Sequence, residues 1–467
     1  MNKLKLLFAV ILSLCVTPII YAGGLLTNTN QSAHFIRMLA RDASLEIDAV
    51  YTNPAGLVKL NDGFHLSFTN QTAFQTRTIT STFKPFAGYG GNEEKEYSGK
   101  TTAPTIPSLQ AAYKTGKWVL SGSFAVSGGG GKVKFNDGLS SFESTIATLP
   151  LAISALGVPT SQYSVDVNMI GSSYIFGGQL GGSYAINDML SAYAGVRLSY
   201  VKNGYEGYLK NININPQHPL VNPSGGMMSA SDFLNAAGQS AMAGMVADRE
   251  IDVEQNGLGV APILGFNFNY NALNIGMKYE FKAGVDVENK TVAGKDGGLP
   301  QFADGVKTPN DIPAYFSIGA SYKITPQLLA SIGYHHFFDS DAKMAGDKQK
   351  HIDGGINEYL AGAEYRINKL FLLSAGIQFT KTGVTDDYQS DLSFSLDSYS
   401  AGFGGAVNVT KNLVVNVGYF WTGYSDWTKE NSNYASVPGS NPPVYISGKD
   451  IFARTNKAFA IGIDYSF

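Results

Sequence analysis

Large apolar side chains recur at every second position along much of the chain. At its end Phe459, Ile461, Ile463, Tyr465 and Phe467 alternate with Ala458, Ala460, Gly462, Asp464 and Ser466. That period of two gives a strand one large apolar face and one small or polar face. The repeat returns in Leu190, Ala192, Ala194, Val196, Leu198 and Tyr200, in Phe371, Leu373, Ala375, Ile377 and Phe379, and in Leu413, Val415, Val417, Tyr419 and Trp421. Taken in order, the pattern predicts fourteen strands, at about 64–84, 107–114, 118–127, 173–184, 189–206, 257–270, 273–286, 313–323, 328–338, 356–366, 370–380, 393–409, 413–423 and 456–467.

A soluble sandwich would alternate in the same way, so the connections decide. Short ones (115–117, 187–188, 271–272, 325–327, 368–369 and 410–412) alternate strictly with long ones of a dozen to some fifty residues. Sorting of this kind is the signature of an antiparallel transmembrane β-barrel, with tight turns on the periplasmic side and extended loops outside. In lipid every backbone amide needs a partner, and among sheets only a closed barrel supplies one to every strand. Strands of about 10 residues, tilted near 45°, span an apolar band of about 25 Å.

Composition agrees. Charged residues make up 15% of the chain, while 53 glycines, 26 tyrosines and 27 phenylalanines suit strands, turns and aromatic girdles. The chain is 44% hydrophobic, yet past the N-terminus no run is long enough for a helical span. The net charge of −3 argues against a nucleic-acid partner. Residues 1–22, with Lys3 and Lys5, an apolar stretch and a closing Ile20-Tyr21-Ala22, read as a signal peptide; its removal takes away Cys15, the one cysteine.

Residues 23–62 then precede a barrel predicted over 63–467. This leader lacks alternation and contains Asn53-Pro54-Ala55-Gly56. Pro54 fixes its own φ, Asn53 is biased toward extended backbone and bonds nearby main chain, and Gly56 permits a reversal. A turn that satisfies its own amides suits a plug folded into the lumen; an ordinary surface turn before a strand is the alternative.

Three further features carry candidate chemistry. Gly128, Gly129, Gly130 and Gly131 follow the third strand, and four glycines do not sustain a strand; they predict either a bend or gap in the wall, or the start of a loop. Ser229–Glu250 reads as a helix whose Phe233, Leu234, Met242 and Met245, with Met227 and Met228 just before it, offer either an adaptable groove for hydrocarbon or packing among loops. Arg197, Lys278 and Glu280 fall in the lumen-facing phase of their strands, as do Lys282, Glu364 and Arg366; they are expected to form ion pairs that brace the barrel and hold the leader, the alternative being that one of the cations pairs with a carboxylate head group. No metal site, catalytic residue or cofactor is expected: His335 and His336 point to opposite faces of a strand, and no G-x-S-x-G elbow is present.

The segment GGLLTNTNQSAHFIRMLARDASLEIDAVYTNPAGLVKL resembles the N-terminal hatch of the long-chain fatty acid transporter (FadL) family, and TPNDIPAYFSIGASYKITPQLLASIGYHHFF and AFAIGIDYSF resemble it more loosely. The resemblance implies a fourteen-stranded outer-membrane barrel, plugged by its hatch, that takes up hydrophobic small molecules passively. It further implies capture by external loops and exit through the wall into outer-membrane lipid, at an inward kink in the third strand where Gly128–Gly131 fall. The protein is expected to be a monomer. A water-filled porin is the alternative, and a lipid hydrolase a more distant one.

Overall fold

In the computed structural model, which describes residues 25–440 and 442–467, the lipid-facing and lumen-facing phases of the strands close into a cylinder. The signal segment 1–22 lies outside the described residues. Fourteen strands form the wall: β1 (Gly63–Thr82), β2 (Glu94–Thr115), β3 (Trp118–Phe135), β4 (Tyr163–Ala185), β5 (Leu190–Ile214), β6 (Arg249–Tyr270), β7 (Leu273–Glu280), β8 (Tyr315–Lys323), β9 (Leu328–Phe337), β10 (Ile356–Arg366), β11 (Phe371–Lys381), β12 (Ser398–Asn408), β13 (Leu413–Tyr424) and β14 (Tyr445–Ser466). Each pairs antiparallel with its neighbours, and β14 closes on β1 from His65–Ser466 to Thr82–Lys449. Closure leaves no free edge.

Phe68, Phe74, Leu120, Phe124, Leu198 and Phe459 are exposed on the outer face, as lipid-facing positions require. At the short-turn end, Phe64 packs on Tyr113 and Phe467 with ring centroids 4.4 and 5.4 Å apart, and Trp118 on Tyr184 at 4.5 Å. These amphipathic rings mark an interfacial girdle.

The wall is uneven in height. β1 to β6 run 18 to 25 residues, whereas β7 to β13 run 8 to 12. The extra length lies beyond the apolar band, where alternation fades, so β2 begins at Glu94 rather than near 107 and β14 at Tyr445 rather than near 456. β7 ends at Glu280, short of the expected 286. Residues 281–285 leave the ladder before a loop strand, Asp286–Asp296, returns to pair with β6. The expected helix over 229–250 is two short ones, α2 (Ala230–Ala236) and α3 (Ser240–Met245), separated at Gly238, whose φ is +74°. The Ser229 hydroxyl caps the first, accepting from the Asp232 N–H at 3.2 Å.

Residues 25–62 fill the lumen. Helix α1 (Ala33–Arg37) is buried throughout; the Ser32 hydroxyl caps it by accepting from the Phe35 N–H at 3.1 Å. Its Ala33, Phe35 and Ile36 pack with Ala73, Leu360, Phe420 and Ala460 of the wall. Room for this packing comes from a belt of wall glycines: a Cβ at Gly276 would stand 2.2 Å from the Asp42 carbonyl oxygen, at Gly333 2.2 Å from an Asp42 carboxylate oxygen, and at Gly418 2.8 Å from the Arg37 nitrogen. The hatch is fitted into the wall rather than laid across it.

Candidate functional site

The β2–β3 ladder is broken. Pairing runs from Thr115–Trp118 to Ser108–Ala125, stops, and resumes at Lys100–Lys134. On β2 the open stretch holds Pro104 and Pro107, which have no N–H to donate. On β3 it holds Ser127 and Gly128–Gly131, where the pairing with β4 shifts register twice. The glycines turn onto the hatch instead. Gly129 N–H donates to the Leu26 carbonyl at 3.3 Å and Asn28 N–H to the Ser127 carbonyl at 2.8 Å. A Cβ on Gly128 would come within 2.0 Å of the Leu26 oxygen, and Gly129 and Gly131 have φ of +83° and +75°. Only glycine suits such positions. The run therefore lies inside β3 and makes a break in the wall whose inner side is covered by the start of the hatch.

Concavities lead up to this break and away from it. Among the extracellular loops an apolar cavity of about 90 Å³ is lined by Phe142, Ile146, Met169, Met245, Leu299 and Phe302. Met169 is shared with a smaller one of about 40 Å³, which continues past Val133, Tyr205 and Ser173 to the residues facing the glycine run. On the lipid side, toward the short-turn end from the break, Ala111 and Gly122 oppose each other at the floor of an apolar trough of about 360 Å³ walled by Leu109, Leu120, Phe124 and Leu180. Small residues between large ones leave that trough open.

The groove residues expected on the loop helix divide. Met245 lines the outer cavity and Met227 is exposed. Phe233 and Leu234 are buried in a loop core with Phe83, Phe86, Ile146 and Ile214, against which Met228 and Met242 also pack. They hold the loops together rather than facing the cavity. The signal missed was on other loops: Phe142, Leu299 and Phe302 line the cavity, and only their apolar character in otherwise polar connections pointed to them.

Ion pairs and hydrogen bonds fix the hatch to the wall. Arg197 binds Glu280 through two bonds, at 2.6 and 3.1 Å, and Gln179 at 2.7 Å. Lys278 donates to the Tyr51 carbonyl at 2.5 Å and lies 3.8 Å from the Tyr51 ring centroid. Glu364 accepts from both Arg37 and Arg41, the latter at 3.0 Å. Arg41 also binds Asp48 at 2.7 Å, and Asp42 binds His335, itself held by Glu358 at 2.7 Å. His34, Glu46 and Asp48 bring three potential metal-ligand atoms within 4.8 Å of one another, but Arg37 and Arg41 already neutralise those carboxylates. Lys282, expected in the lumen, sits in the break after β7 and pairs with Asp311 at 3.3 Å; Arg366 lies exposed at the short-turn end.

In the hatch turn, the Asn53 amide donates to the Ser44 carbonyl at 3.0 Å and to Asn267 of β6 at 2.7 Å. Ser183 and Ser191 of the wall donate to the carbonyls of Pro54 and Ala55, both at 2.7 Å. Gly56 is needed for close approach, not reversal: its φ is not positive, and a Cβ there would meet the Asn53 amide at 2.4 Å. The turn is docked to the wall, not self-contained. At the other end of the hatch the Asp339 carboxylate accepts from the Leu25 N–H at 3.3 Å, and burial pushes the Asp339 carboxyl up to about 7.

Fold and site together define a hatch-plugged transmembrane β-barrel with a break in its wall. Similar solved structures are a Pseudomonas aeruginosa FadL homologue (13% identity, 97% of this chain and 100% of that one, TM-score 0.64), the Pseudomonas putida toluene transporter TodX (14%, 90% and 94%, 0.56) and the Ralstonia pickettii toluene transporter TbuX (16%, 90% and 94%, 0.50). No family model and no curated protein matches the chain. At these identities the likeness establishes the fold, which is that of the FadL- and TodX-like barrels.

Proposed function

We propose that this protein is an outer-membrane channel for passive uptake of hydrophobic compounds, long-chain fatty acids among them. The observation that carries the reading is the β2–β3 break, with an apolar cavity on its outer approach and an apolar trough on the lipid side. Burying an acyl chain of about fifteen methylenes is worth at most roughly 12 kcal/mol at about 0.8 per CH₂. An apolar passage retains most of that gain, and a side exit into lipid never returns the chain to water. The lumen offers no such route, because hatch residues fill it and are bound to the wall by ion pairs from Arg37 and Arg41 to Glu364.

The hatch need not leave. In this mechanism a ligand descends past Met169 and Val133, the Leu26–Asn28 segment shifts off the glycine run, and the chain slides between β2 and β3. Solved structures with this fold include toluene transporters, which supports an apolar cargo. The test is conductance together with binding. A closed baseline in planar bilayers combined with saturable oleate binding is the expected result; large steady ion currents from the intact protein would overturn it in favour of a porin.

A further inference from the structure

On the outer face of the barrel the apolar band ends in lysines just above the wall break. Phe64 stands in the short-turn girdle, and Phe74 is the last large apolar side chain exposed on β1. The ten residues from one to the other, at about 3.3 Å each and a tilt near 45°, rise about 23 Å, close to the full height of an apolar band. At that level Lys457 of β14 faces Phe74, and one pair higher Lys100 of β2 faces Thr76. Lys134 of β3 stands directly opposite Lys100, in the first pair beyond the break, and Lys132 lies two residues along on the same face. All four lysines are exposed, and among the described residues none of them has an ion-pair or hydrogen-bond partner. Lys95, Lys202 and Lys210, on neighbouring strands, are instead paired with Glu143, Glu254 and Glu250. Glu206 shares the row of Lys134 but lies two strands away, about 10 Å, and Glu96 is four residues along from Lys100, about 13 Å.

Like charges directly opposite one another in a sheet repel, so the Lys100–Lys134 pair becomes favourable only when an anion lies between the two ammonium groups. At the edge of the apolar band the anions within reach are lipid headgroups, and lysine binds phosphate as a point charge. Lys457 lies two strands from Lys100, about 10 Å, so the patch matches two phosphates better than one. We propose that Lys100, Lys132, Lys134 and Lys457 dock an outer-leaflet lipid whose headgroup carries two phosphates. Its acyl chains run down over the exposed rings of Phe74, Phe459 and Phe124 and hang in front of the break between β2 and β3. The inference needs the barrel to sit in its membrane; it does not depend on what the barrel takes up.

The experiment titrates the detergent-solubilised full-length protein with bisphosphorylated lipid A and with the same lipid stripped of both phosphates, reading bound lipid by native mass spectrometry. Wild type should bind one phosphorylated molecule at least about tenfold more tightly than the stripped one. At about fivefold per lysine, the triple variant Lys100→Gln, Lys132→Gln, Lys134→Gln binds the phosphorylated lipid about 100-fold more weakly, with the stripped lipid unaffected. Removing three exposed lysines at the short-turn end (Lys323→Gln, Lys369→Gln, Lys411→Gln) should leave both affinities unchanged. Equal affinity of wild type for the two lipids overturns the proposal without any variant being needed. An undiminished preference in the first triple variant, or an equal loss in the second, overturns it as well. Inorganic pyrophosphate bound as tightly as the lipid would also overturn it, marking a site for free anions. None of these results bears on oleate binding, so the uptake reading is tested separately.

Discussion

Replacing Glu364 by Gln tests whether the hatch is held by charge. Glu364 is buried and takes hydrogen bonds from both Arg37 and Arg41. Arg41 would keep Asp48, at 2.7 and 2.8 Å. Arg37 would keep only neutral partners, Asn416 and Ser374 at 3.1 Å each, and a weak contact of 3.5 Å with Glu46, which is 43% exposed. Removing one partner of a buried ion pair costs about 3–5 kcal/mol; with one of the two arginines still paired, the low end, about 3 kcal/mol, is expected. The barrel's own ladder is untouched, so the loss falls on the equilibrium between seated and displaced hatch. At about 1.4 kcal/mol per tenfold, the displaced population rises about 100-fold. Single-channel recording in planar bilayers reads this as brief openings, about 100 times more frequent than in wild type. A folded Glu364→Gln barrel with wild-type silence would refute the reasoning, showing that steric fit and not charge seats the hatch.

Three other perturbations follow. Gly418→Val places a side chain against the Arg37 backbone, 2.8 Å from its nitrogen at the Cβ alone; overpacking of about 1–3 kcal/mol raises channel openings, again read by bilayer recording, while heat-modifiable gel mobility stays that of a folded barrel. Gly129→Val meets the Ser173 carbonyl oxygen at 2.4 Å at a φ of +83°, so it distorts the wall break and lowers oleate uptake by cells at least about tenfold, with no rise in ion conductance. The raised pKa of Asp339 means that the folded protein binds a proton the unfolded chain has released, so stability falls as pH climbs from about 4 through about 7. Thermal midpoints in detergent should decline from pH 5 to 8, and Asp339→Asn should flatten that decline; an unchanged slope would contradict the assignment.

How much of this was legible beforehand depends on whether the signal was local. Alternation in Phe459–Phe467 and the sorting of short and long connections are local, and they sufficed for fourteen strands and their order. The glycine run was local too, and Pro104 and Pro107 stood opposite it, but their opposition depends on β2–β3 register. Residues 94–106 read as loop because a strand standing outside lipid has no apolar face to reveal it. The break at 281–285 left no local mark, since Phe281 and Val285 continue the alternation. Phe233 and Leu234 stand out in the sequence as apolar helix positions, yet whether a helix face meets ligand or protein is decided by Phe83, Phe86 and Ile214 from distant segments. The glycine belt is a subtler case: each residue sits unremarkably in its strand, and only the hatch threaded past them all shows why a Cβ is absent.

The path of the ligand is the central claim, and photolabelling tests it most directly. A diazirine-bearing fatty acid, irradiated with the protein in lipid bilayers and mapped by peptide mass spectrometry, should label the outer cavity around Met169 and Phe302 and then the wall break, residues 101–107 of β2 and 126–133 of β3. Label concentrated instead on hatch residues 43–46 and on Asn271–Asn274, which line the short-turn mouth of the lumen, would mean that the molecule travels straight through the barrel and that the side exit does not operate.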